Sequence, residues 1–303
     1  MSTKTNNKPR LCFIGFGEAG QAIAAGLREA GVDQIAAWDI LFPKDEGARL
    51  REAGETIGAR LASSAADAAV NSDIIVSAVT AGSSLDAARS VAPHLSGSPY
   101  FLDVNSVSPG RKKEAARVLG DAARYVDVAI LAPIHPKRHQ TPLLIAGPHA
   151  NAVMPLLVDE LDMRGAIASD QIGAAAALKM IRGVMIKGIE ALTAECFIAA
   201  QGAGIAPEVA ASLSNNYPTL DWRRVIDYNL ERMASHGIRR AEEMEQVAAT
   251  LRELGVAPLM TEAIVARQRQ MGEIGKTDAV HTAKRDGGAV MLAAISKSPK
   301  TGE

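Results

Sequence analysis

Cysteine is scarce in this chain: Cys12 and Cys196 are the two among 303 residues, and neither has a partner at metal-ligand spacing. A disulfide framework and a cysteine metal centre are both excluded, and the two thiols are expected to be core residues in a reducing compartment. The six histidines are scattered without H-x-x-x-H spacing, so no metal is expected. An excess of one charge is also lacking, because 33 basic residues face 34 acidic ones for a formal net charge of −1. That balance offers no electrostatic footprint for nucleic acid or an acidic membrane, and a small molecule is the expected partner. No uncharged apolar run reaches the roughly 18 residues of a membrane-spanning helix. The first ten residues are polar, and the apolar stretch after them is broken by glycines and Glu18, which makes a poor signal peptide. A cytoplasmic protein is expected.

What the chain does have is a hydrophobic content of 48%, a length sufficient for two domains, and one glycine pattern near its start. Leu11 to Ile14 reads as a short buried strand. It leads into Gly15-Phe16-Gly17-Glu18-Ala19-Gly20, and an Ala-rich helix runs from there to a stop at Gly31. Strand, turn and helix in that order are the context in which a G-x-G-x-x-G run binds a dinucleotide. Gly15 permits the tight turn, Gly17 lets backbone approach a pyrophosphate, and Gly20 allows close helix–strand packing, with the anion at the helix N-terminus. A second strand, Gln34 to Trp38, ends in Asp39, 19 positions after Gly20, where a ribose-binding acid belongs. A carboxylate accepts from a ribose 2′-hydroxyl and repels a 2′-phosphate, so NAD is expected ahead of NADP. Lys44 and Arg49 leave NADP open.

Further strands at Ile74–Val79 and Tyr100–Val104 alternate with helices, which predicts an N-terminal Rossmann doubly wound parallel sheet. Ser63 or Ser64 is expected to cap one helix, and Pro109 to open another that runs to Leu119. Tyr125–Leu131 and Leu143–Ala146 look like a pair of strands. The proline-rich, basic loop between them, including His135 to His139, reads as a solvated hairpin tip or as a receiver for an anionic substrate. Composition shifts near residue 170, and from there only helices are expected: one from Gln171 towards Gln201, then 207–213, 221–234, 239–254 and 261–271. The expected fold class is therefore α/β plus all-α, with an NAD(P)-binding domain over 1–168 and an α-helical domain over 169–303. The tail from Lys297 is expected to fray.

A nicotinamide domain joined to a helical one needs a group to move the hydroxyl proton during hydride transfer. Lys179, in Leu178-Lys179-Met180-Ile181-Arg182-Gly183, is the leading candidate; a lysine lying along the surface of a tightly packed helix is the bland alternative. Here the chain resembles the β-hydroxyacid dehydrogenase family. The resemblance rests on the glycine run, on Leu102 to Pro109, on Asp127 to Pro133, and on the Lys179 helix. It implies that Lys179 is the general acid and base, that Asn105, Val79 and Thr80 contact the cofactor, that Ser106 contacts substrate, and that the protein is a homodimer through its helical domain. Lys179 would then need its basicity lowered, by burial and by Arg182 one turn away.

Two departures bear on the substrate. Arg182 and Gly183 replace the family's paired asparagines, and Leu131, Ala132 and Pro133 replace the polar end of its substrate loop. A donor-rich cradle has become apolar, which favours a bulkier or less polar substrate in a cleft between the domains, with Leu131, Ala132, Arg182 and Gly183 lining it. Glu195, sixteen positions after Lys179, matches a recurrent family glutamate. The run Arg239 to Glu245 reads as helix-surface ion pairs or as a replacement for a family Lys–Asp pair near the active site. Tyr217, Trp222 and Tyr228 either line the pocket or pack helices. Two other functions stay open: an imine reductase-like enzyme, against which Lys179 argues, and a dinucleotide-binding sensor without turnover.

Overall fold

The computed structural model describes residues 8–284 and 288–298, and the segment before Lys8 and the tail beyond Ser298 lie outside them. The chain forms two compact units, residues 1–179 and 180–303, so the division falls inside a helix, eleven residues past the boundary expected at 168.

The first unit runs β1 (Leu11–Ile14), α1 (Glu18–Glu29), β2 (Ile35–Trp38), α2 (Ala48–Ile57), β3 (Arg60–Leu61), α3 (Ala65–Ala69), β4 (Ile74–Ser77), α4 (Ser84–Val91), β5 (Tyr100–Asp103), α5 (Pro109–Leu119), β6 (Arg124–Ile130), β7 (Leu143–Ala146), α6 (Ala150–Pro155) and β8 (Gly165–Ser169). Among the described residues these strands make one eight-stranded sheet in the order β3-β2-β1-β4-β5-β6-β7-β8. It is parallel except where β7 turns back antiparallel on β6. The reversal at β1/β4 is the switch point of a doubly wound fold, and the loops at the carboxyl ends of β1, β4 and β5 meet there. The middle strands are continuous apolar runs because both faces are covered. Phe13, Val76, Leu102 and Val126 pack beneath α1 with Ile23 and Leu27. Cys12, Ile75, Phe101 and Tyr125 face the other way, towards Leu85, Val91 and Leu119.

Local chemistry sets the helix starts. The Ser64 hydroxyl accepts from the Asp67 N–H at 3.0 Å. Ser108 accepts from the Arg111 N–H, with Pro109 in the first turn of α5. The basic loop is exposed from His135 to Lys137 but docked at its far end: Arg138 forms a bidentate ion pair with Glu29 at the end of α1, and His139 lies directly over Gly26. Bare helix at Gly26 makes room for an imidazole there.

α7 (Ala174–Ala203) leads from the first unit into the second, followed by α8 (Ala206–Asn216), α9 (Trp222–Glu253), α10 (Leu259–Ile274), α11 (Asp278–Ala283) and α12 (Gly288–Lys297). The helices expected at 221–234 and 239–254 are a single one, α9. Gly237 does not break it; a Cβ there would lie 2.2 Å from the Gln268 carbonyl oxygen, so the glycine lets α10 cross at backbone contact. Phe197, Leu230, Met233, Met244 and Met271 fill the core of this unit. Cys196 is exposed rather than buried, because it sits on the outward side of α7.

Candidate active site

The glycine turn has the geometry its spacing predicts. Gly15 has φ +91°, and a Cβ on it would stand 2.4 Å from the Ala78 carbonyl oxygen. A Cβ on Gly20 would stand 2.6 Å from the Gly15 carbonyl oxygen, whereas one on Gly17 would meet nothing within 4 Å. Two glycines are thus demanded by the protein's own packing, and the third keeps an open approach. No side chain caps α1 at Gly17, so the first N–H groups of the helix, from Glu18, Ala19 and Gly20, are left for an anion. The Asp39 carboxylate accepts from the Phe16 N–H at 2.8 Å and the Leu41 N–H at 3.0 Å, which fixes it beside the turn with lone pairs remaining. Arg49, by contrast, lines an open trough of about 650 Å³ with Glu18, Gln21, His135 and Arg138, which includes neither Ser106 nor Lys179.

Asn105 is buried, and its side chain is engaged within the protein. Its Oδ1 accepts from the Val79 N–H at 2.7 Å, and its Nδ2 donates to Ser77 Oγ at 3.0 Å and Asp103 Oδ1 at 2.8 Å. It ties the loop after β4 to the loop after β5. Thr80 is exposed and donates to Ser83 Oγ at 3.1 Å. Ser106, the residue after Asn105, is half-buried, and its Oγ accepts from Lys179 Nζ at 2.6 Å. Leu131 packs against Ala129, Leu144 and Ala175, the last lying one turn before Lys179. Ala132 is exposed.

Beneath this pair lies a cluster that the sequence reading missed. Lys112 is 0% exposed, with Nζ 3.0 Å from Asp103 Oδ1 and 3.6 Å from Asp127 Oδ1. Tyr125 donates to Asp103 Oδ2 at 2.8 Å. Asp127 Oδ2 accepts from the N–H groups of Gly173, Ala175 and Ala176 at 3.1, 3.1 and 3.2 Å, a carboxylate set on the positive end of α7. Burial pushes the Asp127 carboxyl above its ordinary value against the pull of Lys112, and burial also raises the Tyr125 phenol. One signal existed: Lys112, Ala115 and Leu119 share the buried stripe of α5 at i, i+3 and i+7.

In the second unit, Arg182 is exposed and Gly183 is buried, where a Cβ would come 3.4 Å from Val247, so Gly183 faces α9. The run from Arg239 divides. Arg239 pairs with Glu243 on the surface at 2.6 Å, but Arg240 is buried in an ion pair with Glu190, to which Gln268 also donates at 2.9 Å. Glu195 pairs with Arg267 at 2.6 Å. Tyr217 packs edge-on to Trp222 at 5.9 Å, and Tyr217 and Tyr228 are more than half exposed. Among the described residues no group of three or more His, Cys, Asp or Glu is placed to hold a metal ion, and no helix is long and apolar enough to cross a membrane.

Comparison with known proteins agrees with this architecture. Residues 10–105 match the family model for NADP oxidoreductases, coenzyme F420-dependent, and residues 200–271 match a domain of unknown function, DUF1932. A conserved hypothetical protein from Sinorhizobium meliloti 1021 is 34% identical, with 95% of this chain and 96% of that one covered and a TM-score of 0.75. The conserved protein MTH1747, of unknown function and structurally similar to 3-hydroxyacid dehydrogenases, is 27% identical over 87% of this chain and 97% of that one, with a TM-score of 0.71. The Mycobacterium tuberculosis 3-hydroxyisobutyrate dehydrogenase shares the fold at 13% identity over 95% of this chain and 98% of that one, with a TM-score of 0.71. Imine reductases share it as well. The chain belongs to one family with the Sinorhizobium meliloti protein, and its fold is that of the 3-hydroxyacid dehydrogenases.

Proposed function

We propose that this protein is an NAD(P)-dependent oxidoreductase that passes a hydride between the cofactor and a hydroxy acid or related alcohol, with Lys179 carrying the proton. The observation that supports it is the 2.6 Å contact between the Lys179 amine and the Ser106 hydroxyl, on a loop at the same sheet edge as the glycine turn. The residues present fit a dinucleotide: open space over Gly17, an uncapped helix start, and a carboxylate at Asp39 that favours NAD while leaving NADP usable. A bound nicotinamide would supply the hydride acceptor or donor. In oxidation a neutral Lys179 takes the substrate hydroxyl proton as its carbon gives up hydride; in reduction the ammonium returns that proton to the carbonyl oxygen. Ser106 fixes the amine, and its own hydroxyl hydrogen is available to the substrate. Leu131 and Ala132 favour a substrate with an apolar portion.

The same reading makes the protein a homodimer through α7. Leu178, Ile181, Met185, Ile189 and Leu192 follow three- and four-residue spacing and are 47, 47, 65, 47 and 60% exposed, an apolar stripe that a second copy would cover. A reducing, cytoplasmic setting suits the two free thiols.

Screening hydroxy acids, alcohols and cyclic imines with NAD and NADP by nicotinamide absorbance tests the reading. Lys179→Ala should lower kcat on an accepted substrate about 10²- to 10⁴-fold, and full turnover in that variant overturns the mechanism. Asp39→Ala should weaken NAD binding about tenfold or more; unchanged affinity overturns the cofactor assignment. Cofactor binding without turnover would favour a sensor.

A further inference from the structure

Lys112 stands where an apolar residue belongs, on the buried stripe of α5, and it is 0% exposed. Burying an ammonium costs several kcal/mol unless partners compensate. Its partners are the Asp103 carboxylate at 3.0 Å, the Asp103 carbonyl at 2.5 Å and the Asp127 carboxylate at 3.6 Å. Asp103 and Asp127 are themselves paired in register on β5 and β6, and each is at most 1% exposed. Without a cation between them, two such carboxylates cannot both stay ionised.

Each carboxylate leads to one half of the Lys179–Ser106 contact. Asp103 Oδ1 accepts from the backbone N–H and the side-chain amide of Asn105, the residue before Ser106. Asp127 Oδ2 accepts from Gly173, Ala175 and Ala176, the last of these three residues before Lys179 on α7.

We propose that Lys112 is a positioning residue: by bridging Asp103 and Asp127, it keeps Ser106 and the Lys179 amine in register. This rests on Lys179 being the proton carrier, and it adds a cation that touches neither cofactor nor substrate. Removing the Lys112 ammonium leaves two buried carboxylates side by side without their bridge, and the repulsion between them loosens the hold on the Ser106 loop or on the start of α7.

The test reads the Lys179 amine directly in the full-length protein. Its labelling by acetic anhydride is followed against pH by peptide mass spectrometry in the wild type, Lys112→Met, Ser106→Ala and the exposed control Lys113→Met. NADH binding by fluorescence reports whether the fold is intact. Lys112→Met should shift the labelling midpoint in the same direction as Ser106→Ala, by about half a pH unit or more. Lys113→Met should leave it in place, and NADH affinity should stay within about twofold in both lysine variants. If Lys112→Met does not fold, Asp127→Asn keeps an acceptor for the α7 N–H groups while removing one charge, and it should shift the same midpoint. A labelling curve that superposes on that of the wild type in the folded variant overturns the proposal. Full turnover in Lys179→Ala overturns the catalytic reading instead, so the two failures are distinguishable.

Discussion

Lys179 and Ser106 are 73 positions apart in sequence, yet amine and hydroxyl meet at 2.6 Å. Ser106→Ala is expected to lower kcat about tenfold, since a polar anchor of the amine is lost, and Ser106→Thr should restore most of it. Lys179→Arg keeps the charge but cannot release a proton near neutrality, so it should be as slow as Lys179→Ala. Steady-state kinetics check both expectations, and an active Lys179→Arg would mean that charge alone suffices.

The glycine turn separates folding from binding. Gly15→Ala meets both a positive φ and a backbone oxygen, and should cost about 2 kcal/mol of stability or more. Gly17→Ala has room in the protein alone and φ −72°, so its melting temperature should stay close to that of the wild type. Its NADH affinity should nonetheless fall about tenfold or more, because the new methyl occupies the approach path of the pyrophosphate. Thermal melts and fluorescence titrations of the two variants read this contrast, and tight NADH binding by Gly17→Ala would contradict it.

His139 ties stability to pH. Burial against α1 holds its ring below the ordinary histidine value, Arg138 adds to that, and Asp162 at 3.9 Å opposes it. An unfolded imidazole titrates near about 6.5, so between that pH and the lower native value the unfolded chain binds more protons. Stability from this residue is therefore fully present above about pH 6.5 and is lost as pH falls towards the native value. Urea midpoints of the wild type and His139→Gln, measured from about pH 7.5 down to about pH 5, should converge on acidification. Parallel curves would rule the effect out.

Leu192, 60% exposed at the C-terminal end of the outward stripe of α7, is the point chosen to break the proposed homodimer. Leu192→Glu should halve the mass seen by light scattering while leaving the melting profile of the sheet unit unchanged. A wild type that is monomeric, or a variant that keeps the wild-type mass, rejects the interface.

The first half of the fold and the glycine turn of the candidate site were legible because their signals are local. The Gly15, Gly17 and Gly20 spacing states its own backbone geometry, and Ser64, Ser108 and Pro109 mark helix starts within a turn of themselves. Other residues take their meaning from distant segments. Gly237 reads as a helix break until Gln268 and Gly272 of α10 are seen lying against it. Lys112 has charged neighbours on both sides in Arg111-Lys112-Lys113-Glu114, and it is buried because Asp103 and Asp127 arrive from two strands. Arg240 finds Glu190 fifty positions away. The loop from His135 to His139 takes its place from Gly26 and Glu29, which its own composition does not reveal.

The anchoring of the first turn of α7 by Asp127 makes the short stretch from Ala176 to Lys179 a ruler. Helical rotation is about 100° per residue, so inserting or deleting one residue there would swing the amine a quarter-turn or more away from Ser106 without disturbing the helix itself. Changes of length between relatives that keep this chemistry should accumulate in the loop between β6 and β7 and stay out of those four positions. Redesign of substrate range would accordingly begin with the side chains of that loop, and with the spacing of α7 left alone.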